Sequence, residues 1–299
     1  MKLTISENHN GTILRSYLTN VLNLSHKDIS RLKTLSNGIV LNGERVTVRA
    51  ILKTGDVLET DEKDHSQNSK ITPVDLPVKI IYEDSRIIVV NKPPFMPTHP
   101  SHGHYDDTLA NAIAFHCRDE NFVFRPINRL DRDTSGAVLI AKDKHSSFVL
   151  ADSMEKRQIV KKYHALLNGI ISPSEGKIDF YIRRREKSII FREATTKEAE
   201  GAQNAVTEYK TIACGKDFSL VEATPKTGRT HQLRVHFSAV GNPIVGDSLY
   251  GKSDPDVKRQ ALHAFYLEFI HPETKEIMKI NADYPDDFKS LLQAKGITI

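Results

Sequence analysis

The sequence predicts an α+β protein built in two parts, and three observations support this fold class. Helical periodicity followed by a hairpin signal occupies the first part of the chain. Polar residues 59–77, with prolines near their end, then have the composition of a linker. Beyond them, apolar strands alternate with polar turns and a short helix. The length of 299 residues agrees with two domains at about 150 residues each.

The elements of the first part can be predicted from local patterns. Apolar residues over 13–22 recur with a period of about 3.6, which predicts a helix. Ser25 and Asp28 predict a capping box at the start of a second helix. The pair Asn42–Gly43 between two β-rich runs predicts a hairpin, and residues 54–58 add a turn and a further strand.

Composition excludes several classes of protein. The apolar fraction of 39% and the charged fraction of 27% are ordinary for a globular protein, and the net charge is +4. No apolar run has the length of a membrane span or a signal peptide, so neither membrane insertion nor export is expected. Cys117 and Cys214 cannot form a disulfide framework or a four-ligand zinc site. We therefore expect a cytoplasmic protein.

A histidine-rich loop follows the first strands of the second part. Residues 91–107 contain four prolines together with His99, His102 and His104. With the nearby aspartates these side chains could bind a metal, but their spacings match no common ligand signature. A rigid proline loop explains the composition equally well, and we expect no metal.

Asp131 is the residue in the second part that most suggests catalysis. It lies in a polar turn, residues 126–136, that leads into the apolar strand 137–141. One interpretation is a turn-capping aspartate. The other is a nucleophilic carboxylate that Arg129 and Arg132, its basic neighbours, keep ionised.

Four segments resemble one family. The run NRLDRDTSGAVLIAK closely resembles the signature of the RluA-type pseudouridine synthases. Residues 157–169 resemble the tyrosine segment of that family, residues 224–251 its arginine segment and residues 261–276 its closing strand. The segments occur in the family's order across residues 78–285. One departure is Asn128, where the family usually has histidine.

The resemblance implies a fold and a reaction. The fold would be a mixed, largely antiparallel sheet flanked by helices, with a central cleft. The reaction would break the N-glycosidic bond of a uridine in RNA, turn the uracil and rejoin it through carbon five. It requires no cofactor, which agrees with the absence of a P-loop or dinucleotide fingerprint. The sequence leaves open whether Asp131 attacks the sugar or acts through a glycal.

The resemblance also assigns roles to individual residues. Tyr163 would stack on the uracil and take the proton from carbon five, although a half-buried strand tyrosine is the alternative. Arg234, on a short helix predicted from His231 to Val240 with Thr230 as its N-cap, would pair with Asp131. The substrate-binding residues would be Arg129, Arg229, Leu233 and Lys161.

The first part resembles the alpha-L RNA-binding module over residues 11–60. Its phosphate contacts would come from four basic residues, Lys27, Arg31, Lys33 and Arg45. The alternative is a small domain with ordinary surface charge. Residues 177–197 hold seven basic and three acidic side chains, which indicates either a solvated hairpin or an RNA-facing edge beside the cleft.

Together these observations predict a monomeric RNA pseudouridine synthase. Its RNA-binding module would span residues 1–60, its linker residues 61–76 and its catalytic domain residues 77–299. Large-subunit ribosomal RNA is favoured over transfer RNA as the substrate. A non-catalytic RNA-binding factor and a glycoside hydrolase are the competing classes, and the hydrolase would need a second positioned carboxylate.

Overall fold

The computed structural model describes residues 2–22, 24, 26–60, 71–118, 122–186, 188 and 190–298, without the side chains of residues 20 and 26–28. In this part of the chain the helices are α1 (Leu14–Asn20), α2 (His26–Thr34), α3 (Leu109–His116), α4 (Lys144–Glu155), α5 (Gln232–Ala239) and α6 (Asp286–Ala294). The first strands are β1 (Lys2–Thr4), β2 (Ile39–Leu41), β3 (Glu44–Arg45), β4 (Val57–Thr60), β5 (Lys79–Glu83), β6 (Ile87–Lys92), β7 (Arg125–Pro126) and β8 (Ser135–Ala141). The others are β9 (Val160–Asn168), β10 (Glu175–Arg184), β11 (Arg192–Thr195), β12 (Gln203–Cys214), β13 (Phe218–Pro225), β14 (Leu262–Ile270) and β15 (Ile277–Asn281).

The first part forms a four-stranded antiparallel sheet in the order β1-β4-β2-β3, packed with α1 and α2 around one hydrophobic cluster. Asn42 and Gly43 both have positive φ, 53° and 86°, as a two-residue hairpin turn requires, so the predicted hairpin is confirmed. The second hairpin strand is short: it ends at Arg45, before the β-branched residues 46–48 that follow it. The predicted capping box lies outside the described residues and side chains.

The second part is organised around an eleven-stranded sheet. Nine strands follow the order β11-β10-β12-β13-β9-β14-β8-β6-β5, while β15 pairs with β14 and β7 with β8. The pairing of β14 with β8 is parallel and the other pairings are antiparallel, which confirms the predicted mixed, largely antiparallel sheet. Alternate residues of β6 and β8 belong to two separate hydrophobic clusters. Both faces of these strands are therefore covered, which explains their continuous apolar runs.

The start of β8 is determined by a close approach between two backbones. Gly136 has a φ of 120°, and a Cβ atom there would lie 2.2 Å from the carbonyl oxygen of Ala264 on β14. A side chain at this position is therefore sterically excluded. The approach brings the turn at residues 131–134, immediately before β8, to the middle of the sheet.

The short helix α5 differs in detail from its prediction. Its N-cap is His231 with a φ of 57°, and Thr230 lies one residue too early to serve. Val240, the last residue of the predicted helix, is exposed because it follows the last helical residue, whereas Leu233 and Phe237 within the helix are buried. The left-handed His231 turns the chain sharply into the helix, and its ring contacts the groups described below.

Residues 71–76 contact the second part of the chain. Ile71 and Leu76 pack against its main hydrophobic cluster, and the Asn111 side chain donates a 2.7 Å hydrogen bond to the carbonyl of Thr72. Residues 61–70 of the predicted linker lie outside the described residues. No helix in the described ranges is long and apolar enough to cross a membrane.

Candidate active site

A cleft of about 740 Å³ opens between the turn before β8, strand β9, the end of β13 and helix α5. Seven of the residues singled out from the sequence line it together, namely Arg129, Asp131, Lys161, Tyr163, Arg229, Leu233 and Arg234. The first and last of these residues, Arg129 and Arg234, are more than a hundred positions apart in the sequence, so it is folding that brings the seven side chains together. Arg31 is not part of this lining, and the side chain of Lys27 is not described.

Asp131 lies beside the guanidinium of Arg234. An Oδ2 atom of Asp131 is 3.5 Å from Nη1 of Arg234, as the resemblance implied. The stronger partner of this arginine is Asp247, whose two carboxylate oxygens accept hydrogen bonds of 2.7 and 2.8 Å from Nε and Nη2. Burial disfavours the charged guanidinium, but the contacts with Asp247 and the charge of Asp131 together outweigh burial and raise the pKa of Arg234. Asp247 therefore orients the arginine and leaves one guanidinium nitrogen for Asp131.

Asp247 is a site residue that the sequence analysis missed. Its side chain is fully buried and also accepts hydrogen bonds from the backbone amides of Leu249 and Tyr250. The only signal in the sequence was its position inside the arginine segment. A carboxylate with four donors is satisfied in the interior, which agrees with a fixed structural support for Arg234.

His231 adds a second donor group near Asp131. Its Nε2 is 3.9 Å from Oδ2 of Asp131, and its Nδ1 is 2.8 Å from the hydroxyl of Tyr250. That hydroxyl accepts a hydrogen bond from the backbone amide of Arg192, so its own proton is available to Nδ1. This assignment places the remaining ring proton on Nε2, facing the carboxylate. Burial lowers the pKa of His231 despite the opposing charge of Asp131.

Tyr163 and Lys161 face the same cleft from β9, as their i, i+2 spacing predicts. Burial and then the negative charge of Asp131 raise the pKa of Tyr163, which keeps the phenol protonated. Burial lowers the pKa of Lys161. Among the described residues its ammonium forms no ion pair with a carboxylate, and a Cβ at Gly228 would lie 3.9 Å from it. The cleft thus presents an aromatic ring and an uncompensated cation side by side.

Buried cations hold the backbone around Asp131. The ammonium of Lys92, which has no exposed surface, donates to the carbonyls of Pro93, Met96 and Arg132 at 2.7–3.0 Å. Burial lowers the pKa of Lys92 to about 7. The guanidinium of Arg259 donates to the carbonyl of Asp133 at 3.0 Å. The turn that carries Asp131 is therefore held from both sides.

Arg132 does not act on Asp131 as the sequence suggested, and Asn128 has a structural role. Arg132 forms a bidentate ion pair with Asp133 at 2.7 and 3.0 Å, so its charge is directed away from Asp131. Asn128 is buried and its amide binds both the carbonyl of Ala137 and the amide of Leu139. It attaches the turn to β8, so the departure from histidine at this position is accommodated by a structural contact.

The basic stretch 177–197 lies in the hairpin of β10 and β11 at one end of the sheet. Its ionic contacts are mostly internal, including Arg183 with Glu193 at 2.8 Å and Lys177 with Asp179 at 2.9 Å. None of its described residues lines the cleft. Its link to the site is indirect: the backbone amide of Arg192 donates a 2.9 Å hydrogen bond to the hydroxyl of Tyr250.

The loop histidines do not assemble a three-ligand metal cluster within the described residues. His104 pairs with Asp107 at 2.6 Å, and His99 packs edge-on against Phe124. The group of described residues that could offer three ligand atoms is Glu83, His116 and Cys117, none of which lines the cleft. There Glu83 is already hydrogen-bonded to His116 at 2.8 Å and to Lys142 at 3.0 Å, which accounts for the arrangement as an ion-pair cluster.

The cleft of the mixed sheet brings an aspartate, an arginine and a tyrosine together, which is the arrangement of an enzyme active site, and comparisons with known proteins identify the family. The family model described as RNA pseudouridylate synthase matches residues 86–239. The protein named uncharacterized RNA pseudouridine synthase YjbO from Bacillus subtilis is 34% identical over 277 residues, covering 92% of this chain and 96% of that protein. Ribosomal large subunit pseudouridine synthase D from Zymomonas mobilis is 34% identical over 317 residues, covering 98% and 96%.

Solved structures agree with this assignment. Human RNA pseudouridylate synthase domain containing 1 has a TM-score of 0.59 and 28% identity, covering 74% of this chain and 96% of that one. Human RNA pseudouridylate synthase domain containing 4 has the same fold, with a TM-score of 0.60, 24% identity and coverage of 74% and 94%. The chain belongs to the RNA pseudouridylate synthase family.

Proposed function

We propose that this enzyme converts uridine to pseudouridine in RNA, with Asp131 as the group that acts on the sugar of the target nucleotide. The observation that carries the proposal is the position of the Asp131 carboxylate in the cleft, 3.5 Å from Arg234 and close to the ring of Tyr163. Among the described residues the other carboxylate that lines the cleft is Glu155, which is exposed at the end of α4. One carboxylate held between donors fits covalent or elimination chemistry at one carbon better than two-carboxylate hydrolysis.

The proposed reaction needs no redox partner. The bond between N1 and C1′ breaks, the detached uracil rotates, C5 forms a bond to C1′ and loses its proton, and N1 gains a proton. Asp131 either bonds to C1′ and is displaced when C5 attacks, or removes a sugar proton and returns it, so the mass of the nucleotide is unchanged. Because a stacked uridine cannot reach the cleft, it must first be flipped out at a cost of about a few kcal/mol. Cations at Arg129, Arg229 and Lys161 are suited to bind the flipped nucleotide and offset that cost.

The role proposed for Tyr163 is to stack on the uracil. Base stacking on an aromatic ring is worth roughly 1–3 kcal/mol and would retain the detached base while it rotates. The raised pKa of Tyr163 means that the phenolate is scarcely populated at neutral pH. A protonated phenol could remove the C5 proton only if it first transferred its own proton to another group. Burial of the ring therefore supports stacking, rather than proton removal, as the role of Tyr163.

The test of the proposal is Asp131→Asn. We expect folding and RNA binding to be retained, because the change keeps the side-chain volume, and pseudouridine formation to be lost. Nucleoside chromatography or chemical mapping of the treated RNA measures the product. Turnover of the variant within about tenfold of wild type would remove Asp131 from the mechanism.

The substrate we propose is large-subunit ribosomal RNA. Several relatives carry the name ribosomal large subunit pseudouridine synthase D, including those from Zymomonas mobilis and Buchnera aphidicola, at 34% and 36% identity. Comparing pseudouridine maps of ribosomal and transfer RNA from cells with and without the protein tests this choice. Loss of signals confined to transfer RNA would contradict it.

We further propose that residues 1–60 form an alpha-L RNA-binding module, that residues 61–76 link it to a catalytic domain at 77–299, and that the enzyme acts as a cytoplasmic monomer. Two helices and a hairpin in the expected order support the module. The guanidinium of Arg45 donates a 2.8 Å hydrogen bond to the carbonyl of Lys33, which ties the hairpin to α2. Basic residues of both elements, Arg31 among them, would then face the same phosphate backbone.

A further inference from the structure

Phe95 combines two properties that are unfavourable for a phenylalanine. Its φ is 63°, in the left-handed region that a residue with a bulky side chain rarely adopts. Its side chain is 51% exposed and belongs to none of the hydrophobic clusters of the described residues. Packing therefore does not compensate for the strain, and an exposed aromatic ring in a strained conformation indicates a functional constraint.

The strained conformation is imposed by the same buried ammonium that holds the Asp131 turn. Lys92 binds the carbonyls of Pro93 and Met96, on either side of Phe95, and also the carbonyl of Arg132. The hydroxyl of Thr98 adds two contacts to the backbone of Leu130, at 3.0 and 3.3 Å. The loop carrying Phe95 is thus fixed directly against the loop carrying Asp131.

An uncompensated guanidinium lies on the loop that adjoins the Phe95 loop. Arg129 lines the cleft, is exposed and has no ion-pair partner among the residues that the structure describes. It directly precedes Leu130, whose backbone contacts the Thr98 hydroxyl of the Phe95 loop, and its charge helps burial to lower the pKa of His99 in that loop. An exposed ring and an uncompensated guanidinium on adjoining loops are suited to bind an unpaired nucleotide, since the ring stacks on the base and the cation attracts the phosphate.

We propose that Phe95 is a stacking platform for an unpaired base that flanks the target uridine, outside the cleft itself. This inference rests on the proposed function, because an RNA strand that delivers a flipped uridine to Asp131 must pass over the adjoining loop. The strained backbone presents the ring to the strand, and Arg129 binds the phosphate beside it. The platform would retain the neighbouring base while the uridine is in the cleft.

The experiment compares three substitutions in the full chain. Phe95→Leu keeps the bulk and removes the ring, Phe95→Gly removes the side chain and the strain, and Phe95→Tyr keeps the ring. Phe148→Leu, at another exposed phenylalanine outside the cleft lining, is the matched control. Binding is measured by fluorescence anisotropy with a labelled oligoadenylate and with an abasic ribose-phosphate oligomer of the same length.

We expect the wild type, Phe95→Tyr and Phe148→Leu to prefer oligoadenylate over the abasic oligomer. Phe95→Leu and Phe95→Gly should lose about tenfold in affinity for oligoadenylate and little for the abasic oligomer. The urea midpoint of Phe95→Gly should be unchanged or higher than that of the wild type, because glycine adopts positive φ without strain. A lower midpoint for Phe95→Gly would show that the ring serves packing and would overturn the proposal, as would equal oligoadenylate affinities for Phe95→Leu and wild type.

The outcome is separable from that of the proposed function. The binding measurement involves no isomerisation, whereas the Asp131→Asn test measures product. If the Phe95 variants lose their base preference and Asp131→Asn remains active, the stacking site is supported and the catalytic role of Asp131 is wrong. If base preference is unchanged and Asp131→Asn is inactive, the catalytic role of Asp131 is supported and the stacking site is wrong.

Discussion

At the scale of single residues, the site depends on how the guanidinium nitrogens of Arg234 are shared between two carboxylates. Asp247 occupies Nε and Nη2 of Arg234, and Nη1 remains for Asp131. The geometry requires a planar group with donors on two edges, which an ammonium cannot supply. We therefore expect Arg234 to be a positioning residue for Asp131, and Asp247 to position Arg234 in turn.

We expect Arg234→Lys to lower turnover by more than about tenfold with a much smaller change in RNA affinity, because one ammonium cannot contact both carboxylates in this arrangement. Single-turnover rates and RNA dissociation constants measure the two effects separately. Asp247→Asn should also lower turnover more than RNA affinity, because it weakens the contact that orients Arg234 while Asp131 itself is unchanged. A change confined to affinity, with turnover preserved, would show that Arg234 binds the RNA backbone instead.

Some residues of the site could be predicted from the sequence and others could not. Asp131, Tyr163 and Arg234 were selected through the family resemblance, and the structure brings them to one cleft. Asp247 and Lys92 were not selected, because their importance depends on burial and on backbone carbonyls from distant segments. A carboxylate or an ammonium in a sequence gives no indication of which carbonyls or guanidinium it will meet after folding.

At the scale of secondary-structure elements, buried histidines connect the strands behind the site. His164 on β9 stacks on Phe265 of β14 with ring centroids 3.7 Å apart. His263 on β14 is hydrogen-bonded to Ser135 at the start of β8 at 2.9 Å and to the carbonyl of Ala282 at 3.0 Å. Burial lowers the pKa of both histidines to about 4, so both are neutral in the folded protein at pH 7.

This arrangement makes stability depend on pH in a defined window. Between the ordinary histidine pKa of 6.5 and the folded value of about 4, the unfolded chain binds protons that the folded chain does not. Stability should therefore fall as pH falls through this window, by up to about 1.4 kcal/mol per pH unit for each buried histidine. Urea unfolding of wild type and His263→Asn at about pH 7.5 and about pH 5.5 measures the slope. His263→Asn should be less stable at neutral pH yet lose less on acidification, and identical slopes would contradict the assignment.

Element boundaries illustrate the same limit of prediction. The two-residue turn at Asn42–Gly43 was predictable because its chemistry is local. The start of α5 was misplaced at Thr230, since the left-handed conformation of His231 is stabilised by Tyr250, nineteen residues away in sequence. The parallel pairing of β8 and β14 likewise depends on Gly136 meeting Ala264, which no local pattern indicates.

At the scale of the whole molecule, the chain combines a cleft with a separate helix-and-hairpin region at residues 2–60. Exposed cations line the cleft at Arg129, Arg157, Lys226 and Arg229, and the hairpin at 177–197 carries seven basic against three acidic side chains. The basic residues of α2 and β3 lie outside both regions and would add a further source of attraction to structured RNA. Part of the affinity for structured RNA would then reside outside the part of the chain that performs catalysis.

This division can be measured with a protein that lacks residues 1–70. Residues 71–76 should be retained because Ile71 and Leu76 pack against the core of the catalytic part. We expect the truncated protein to keep activity on a short RNA that contains the target uridine, and to bind long ribosomal RNA more weakly. The truncated protein lacks Arg31, Lys33 and Arg45. Removing a residue that binds a phosphate should make the slope of log affinity against log salt shallower by about 0.7–0.9.

The matched variant in the full chain is Lys27→Gln combined with Lys33→Gln, which removes two charges and keeps the fold of the region. Its salt slope should lie between those of the wild-type and truncated proteins, because a phosphate contact contributes to the slope only when it releases a counterion. Both proteins should retain turnover on the short RNA, since neither change reaches the cleft. Equal slopes for all three proteins would mean that residues 1–60 do not touch this RNA, and their function would then lie in contacts with another protein.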